Sequence, residues 1–136
     1  MGLSGYGGGL SDAVCVNTTH VFPLPDNVPL EIGALVEPLA VAWHAVSAAG
    51  EIASDSVVVV LGGGPIGLAA VLCLKAKGVK NVIVSEVASS RQEFARQFGA
   101  SQVVNPVKED LKIAVLESSN GQGADVVLDC AGVPAR

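Results

Sequence analysis

Basic charge is scarce in this 136-residue sequence, and so is charge of either sign. Eight Lys and Arg stand against thirteen Asp and Glu, and charged residues make up 15% of the chain. The resulting net charge of −5 argues against a surface for nucleic acid or an anionic membrane, both of which need clustered cations. Cysteine is thin as well. Cys15, Cys73 and Cys130 are far apart, odd in number and form no C-x-x-C pair. That pattern supports neither a disulfide framework nor a cysteine zinc cluster, and makes the reducing cytosol the expected compartment. The first residues, Met1 to Gly5, offer no basic n-region and no apolar core, so no signal peptide is expected. The long uncharged run from Val57 to Leu74 touches the lower limit of a membrane-spanning length. Gly62, Gly63, Gly64 and Pro65 interrupt its middle, and no membrane span is expected there. No internal repeat is present.

What is there centres on Val57 to Glu86, VVVVLGGGPIGLAAVLCLKAKGVKNVIVSE. The leading valines and leucine are apolar and β-branched, the composition of a strand buried on both faces. Gly62, Gly64 and Gly67 then match G-x-G-x-x-G, a helical stretch runs from Leu68 to Lys77, and Gly78 supplies its stop. A second strand, Val82 to Ser85, leads into Glu86. Each part has a physical task in binding a dinucleotide. Gly62 permits a tight turn, Gly64 lets a diphosphate approach the backbone, and Gly67 lets the helix sit close to the sheet. Pro65 suits the first helical turn, where its missing N–H costs nothing. The helix start turns N–H groups and positive dipole toward the phosphates. Glu86, about 20 residues past the glycines, is placed to accept the ribose hydroxyls. On this reading its side chain points at ligand across the sheet edge, and its removal leaves fold stability nearly unchanged. No Gly-Lys-Ser/Thr follows, which excludes a P-loop. Two other readings stay open: a glycine-rich turn between core strand and core helix, and a methyltransferase-type glycine loop. The latter gives no reason for Pro65 and Gly67 at these offsets.

The rest of the chain extends this unit. Residues 1 to 10 are half glycine and are expected to be mobile. Short strands are expected over Ala13 to Val16 and His20 to Phe22, with His20 at a strand edge or surface. A helix capped by Asp26 or Asn27 should cover Leu30 to Leu35. Another should run from Pro38 to Ala48, ended by Gly50, and largely buried because it is apolar over most of its circumference. After Glu86, Ser89 or Ser90 should cap a helix to Phe98, followed by a strand at Gln102 to Val104. A helix over Lys108 to Glu117 and a strand over Val126 to Leu128 follow. Alternating strands and helices predict an α/β fold, a doubly wound parallel sheet ordered 3-2-1-4.

The stretch Gly33-Ala34-Leu35-Val36-Glu37-Pro38-Leu39-Ala40-Val41, then Val57 to Gly67, Ser85-Glu86 and Arg91 resembles the zinc-type medium-chain alcohol and polyol dehydrogenases, most of all the 2,3-butanediol and sorbitol branch. The resemblance implies a partial Rossmann domain, its first half, preceded by a remnant of a GroES-like β domain. Residues 1–27 would be that remnant, 28–50 crossover helices, and 51–136 the start of the NAD-binding domain. It implies NAD and zinc as cofactors of a parent enzyme that moves a hydride between NAD and a small alcohol, diol or polyol, in the cytoplasm and as a homo-oligomer. Ile66 would touch the cofactor beside the turn, together with Gly62, Gly64, Pro65 and Gly67. Glu86 would hold the adenosine ribose, and Arg91 would lie against the adenine. Cys130-Ala131-Gly132 would border the nicotinamide side.

Glu37 matches the glutamate of the family's zinc site, as metal ligand and catalytic residue. An acid at a helix start is also favoured by the dipole alone, but an acid on a buried helix has little other use. His44 lies seven residues on, about 10 Å along a helix axis. Zinc ligands must all come within about 2 Å of the ion, so His44 is expected to be a packed or hydrogen-bonded histidine. The family's remaining zinc ligands have no counterpart in this sequence, which is why the chain reads as a piece of a longer enzyme. Two alternatives are a non-catalytic nucleotide-binding module and a zinc-free quinone reductase of the same superfamily. The latter expects NADPH, against which Glu86 speaks.

Overall fold

The structure, a computed structural model, describes Gly9 and residues 11–132. The chain divides into two compact units, Met1–Ala34 and Leu35–Arg136.

The first unit holds no strand among its described residues. The strands expected over Ala13 to Val16 and His20 to Phe22 are replaced by extended segments and a 3-10 turn, Thr18–His20. Asn17 caps that turn, its side chain accepting the Thr19 N–H at 3.0 Å. A strand requires a ladder partner, and none is offered here, so the expected β remnant has no β structure among these residues. Helix α1, Leu30–Gly33, starts after Pro29 and owes no cap to Asp26 or Asn27. The expected mobility of residues 1–10 falls almost wholly outside the described residues.

The second unit is built on four parallel strands, β1 (Val57–Leu61), β2 (Asn81–Ser85), β3 (Gln102–Val104) and β4 (Val126–Asp129). Their spatial order is β3-β2-β1-β4, as the alternation of elements predicts. Register follows directly: Val59 lies between Ile83 and Val127, and Leu61 between Ser85 and Asp129. Alternation of side chains sends Val58, Val60, Val82 and Val84 to one face, where α3 (Pro65–Ala76) presents Ala70, Val71 and Leu74. Val57, Val59 and Ile83 go to the other face, against Ala114 and Val115 of α5 (Leu111–Ser118). Strands covered on both sides read as unbroken apolar runs, which is why β1 is VVVVL.

Helix boundaries move where capping chemistry decides them. Helix α3 begins at Pro65, three residues before the expected start, since proline fits its first position. Helix α4, Ser89–Gln97, is preceded by Ala88 and not capped by a serine. Helix α5 starts at Leu111 because Asp110 accepts the N–H groups of Lys112 and Ile113 at 2.8 and 3.2 Å.

Helix α2, Val36–Ala48, is the largest departure. Only Ala42 and Val46 are buried, while Val36, Val41 and Trp43 are about half exposed. Within its unit α2 packs chiefly on α3, so one face of an all-round apolar helix is covered. The Lys77 ammonium stands 5.0 Å from the Trp43 ring centroid, a cation–π contact joining α2 to the end of α3. His44 is exposed, contrary to the expected packed histidine. The stretch Leu30–Ala48 has the length and mean hydropathy of a membrane span. It is broken between α1 and α2, and α2 commits Ala42 and Val46 to the core.

Leu74 is fully buried at the centre of the larger core face. Leu74→Ala should lower the unfolding free energy by about 2 to 5 kcal/mol. Leu72→Ala, at a 40% exposed site on the same helix, should cost under about 1 kcal/mol. Urea denaturation of both variants checks the contrast.

Candidate functional site

The carboxyl ends of β1, β2 and β4 meet in a cleft of about 290 Å³, lined among others by Gly62, Gly64, Glu86, Arg91, Cys130 and Ala131. Six of the residues singled out from sequence therefore share one place, at the edge where parallel α/β sheets bind ligands. Pro65, Ile66 and Gly67 form the first turn of α3 beside it, and Gly132 follows Ala131. Glu37 does not line it. That glutamate sits in the first turn of α2 and is exposed, so burial gives no support to a functional reading of it.

The glycines of the turn differ in what demands them. Gly62 has φ +95°, in the left-handed region that favours glycine, and its N–H donates to the Ser85 carbonyl at 2.8 Å. A Cβ on Gly67 would collide with the carbonyl oxygen of Gly62, so α3 starts with its backbone against the turn itself. Gly63, an unassigned position of the motif, is constrained more mildly, by a neighbouring side chain. A Cβ there would lie 3.2 Å from both Cγ and Oε2 of Glu86. Gly64 is the exception. Its φ of −75° and ψ of −177° suit any residue, and a Cβ would meet nothing within 4 Å. The protein's own packing does not require glycine at 64, but a ligand drawn close to the backbone would. The N–H groups of Ile66 and Gly67 in the first turn have no intrahelical acceptor, and they offer donors to an anion beside this bare backbone.

Glu86 is buried, 5% exposed, and its carboxylate is saturated. Oε2 accepts from the Gly63 N–H at 2.8 Å and from Arg91 Nε at 2.9 Å. Oε1 accepts from the Ala88 N–H at 2.8 Å and from Arg91 Nη2 at 3.0 Å. Its own N–H donates to the Val104 carbonyl, and the Gln92 amide donates to its carbonyl at 2.7 Å. Burial acts to raise the pKa of this carboxyl, but the Arg91 hydrogen bonds and the Ala88 and Gly63 N–H groups outweigh it and hold the value at about 2. Glu86 is thus not the free, ligand-directed side chain expected from sequence. It links the β1–α3 turn to the start of α4, which makes it structural as well.

Cys130 closes the β4 side. Burial first, then the Asp129 charge, pushes its thiol above the ordinary value, so it lines the cleft as a neutral group. Asp129 Oδ1 accepts the Ala131 N–H at 3.0 Å and shapes that exit. Sequence reasoning missed Gly63, Gln92 and Asp129. Only Gly63 carried a signal, as the middle of a glycine triplet.

Among the described residues no three His, Cys, Asp or Glu side chains come together. A catalytic zinc takes about three protein ligands, so these residues do not fit a complete zinc site.

Comparison with known proteins gives concordant results. Residues 65–136 match the zinc-binding dehydrogenase family model. The chain is 41% identical over 136 residues to the (R,R)-butanediol dehydrogenase of Saccharomyces cerevisiae, covering 98% of this chain and 35% of that protein. The crystal structure of 2R,3R-butanediol dehydrogenase from Bacillus subtilis superposes with a TM-score of 0.74 at 40% identity, covering 83% of this chain and 32% of that one. A zinc-binding dehydrogenase from Sinorhizobium meliloti, solved bound to NADP, gives a TM-score of 0.70 at 37% identity, over 78% of this chain and 32% of its own. The chain spans about a third of the length of the curated relatives it matches.

The Glu86 geometry sets a pH dependence. A carboxyl whose folded pKa is lowered from 4.5 to about 2 contributes stability that is complete above about pH 5 and is lost as pH falls toward 2. Glu86→Gln should therefore destabilise the chain at pH 7, and the difference from the parent sequence should shrink on acidification. Thermal melts between pH 7 and 3 measure it. A constant difference would mean the carboxylate charge contributes nothing.

Proposed function

This chain belongs to the zinc-binding dehydrogenase family, and we propose from that premise that its cleft holds NAD for hydride transfer to or from a small alcohol, diol or polyol. The observation that carries the reading is Gly64, a glycine that nothing in the protein's own packing explains, beside the exposed start of a helix. In this reading the diphosphate lies on the Gly64 backbone and accepts from the N–H groups of Ile66 and Gly67. The adenosine ribose turns to Glu86, which remains ionised at any working pH because its pKa is about 2. Cys130, Ala131 and Gly132 wall the opposite side, next to the nicotinamide. Bound there, NAD supplies the hydride acceptor. The chain's own residues bind and orient it and keep water from one of its faces.

The substrate class rests on the butanediol dehydrogenases among the relatives. We assign Glu37 to the metal side of the reaction only as one candidate ligand, because the described residues supply no companion set. The reducing cytosol suits the three unpaired cysteines, and a homo-oligomer is the expected assembly of the working enzyme.

NAD should bind more tightly than NADP. The ionised Glu86 would face the 2′-phosphate as a like charge. Isothermal titration of the chain with both cofactors tests this, and equal or tighter NADP binding would remove the preference. Gly64→Ala should cost less than about 1 kcal/mol of stability yet weaken NAD by tenfold or more. A variant that melts normally and binds NAD as before would sink the proposed diphosphate position.

A further inference from the structure

The donors around Glu86 outnumber what its carboxylate can serve once a ribose arrives. A carboxylate offers about four acceptor sites, and four donors already occupy it: the Gly63 N–H, the Ala88 N–H, and Arg91 Nε and Nη2. Two of these cannot leave without unfolding local structure. The Gly63 N–H belongs to a turn pinned on one side by Gly62 at φ +95° and on the other by the start of α3. The Ala88 N–H is fixed at the position preceding α4. The Arg91 guanidinium is different. It hangs on a flexible stem, its side chain is 50% exposed against 4% for Glu86, and both of its hydrogen bonds go to this one carboxylate. It also lines the same cleft as Gly62 and Gly64.

We propose that Arg91 is an internal competitor for the ribose: the vicinal diol of an adenosine nucleotide binds Glu86 by displacing the Arg91 guanidinium from it. Two O–H donors replace two N–H donors on the same carboxylate oxygens, so the buried charge is never left unsatisfied. No bond is made or broken beyond hydrogen bonds, and no proton changes owner. The displaced guanidinium is released toward water, which its half-exposed position allows. Affinity for the diol is therefore set by a difference between two occupants of one carboxylate, and not by the hydrogen bonds of the ribose alone. This role is specificity-determining. It differs from simple attraction, because a cation that merely drew in the diphosphate would strengthen binding whether or not the sugar carried hydroxyls.

The inference rests on the dinucleotide reading above, and the test separates the two. The probes are ADP and 2′,3′-dideoxy-ADP, titrated against the full 136-residue chain and against Arg91→Met, which keeps the stem and removes every donor. General charge or adenine contacts of Arg91 affect both ligands alike and cancel in the ratio of their dissociation constants. The competitor role predicts that the dideoxy-to-ADP ratio rises about three- to tenfold in Arg91→Met, the scale of a well-formed, half-exposed ion pair. Arg91→Lys, which keeps the charge but loses the two-pronged geometry, should fall between the two. It also serves as the measured variant if Arg91→Met does not fold. A ratio that stays level or falls when Arg91 is replaced overturns the competition. Failure of the unaltered chain to bind either nucleotide overturns the dinucleotide site itself, and the inference with it.

Discussion

A buried carboxylate must be fully hydrogen-bonded or the fold loses several kcal/mol, and the second unit of this protein is arranged around one such group. Glu86 stands where β2 ends, and its four acceptor positions gather Gly63 from the turn after β1 and Ala88 and Arg91 from the approach to α4. Its backbone N–H reaches Val104 on β3 as well. A single side chain thus holds the carboxyl edge of the sheet in register with the glycine turn. That side chain lies close against Gly63 and leaves little room for a Cβ there. The low pKa of Glu86 measures how completely its charged form is supported.

The same saturation gives the cleft its character. A ligand reaching this edge finds bare backbone at Gly64, helix N–H groups beside it and a carboxylate that already has partners. On the proposed exchange, affinity for a sugar diol depends on the half-exposed guanidinium giving way while the backbone donors stay. Family membership explains why these parts occur together. The Glu86 geometry bears on which dinucleotide they suit, since a 2′-phosphate would meet its carboxylate as a like charge.

Much of the fold was legible because its code is local. A run of β-branched residues, a glycine after each of α2, α3 and α4, and an alternation of short strands with helices sufficed for β1 to β4 and for the order β3-β2-β1-β4. Where legibility failed, the missing information lay outside the segment. His20 and Val21 have strand-forming neighbours in sequence but no ladder partner among the described residues. Helix α2 is apolar all round, and sequence could not show that only the face carrying Ala42 and Val46 would be covered. The burial invoked to favour a metal role for Glu37 failed for that reason.

The sequence by itself determined the glycine turn, the acid at its proper distance and the parallel strands that bring both to one edge, because these follow from backbone sterics and side-chain periodicity. Only the tertiary structure decided what the acid does before any ligand arrives. Gly63 and Glu86 are 23 residues apart, and no local pattern encodes a hydrogen bond between them. The two-pronged hold of Arg91 on Glu86 likewise depends on α4 starting where β2 and β3 end together. The contact between Gly67 and the Gly62 carbonyl depends on the pitch at which α3 leaves the sheet. Periodicity names the face a residue occupies, but the partners it meets there are set by the packing of elements distant in the chain.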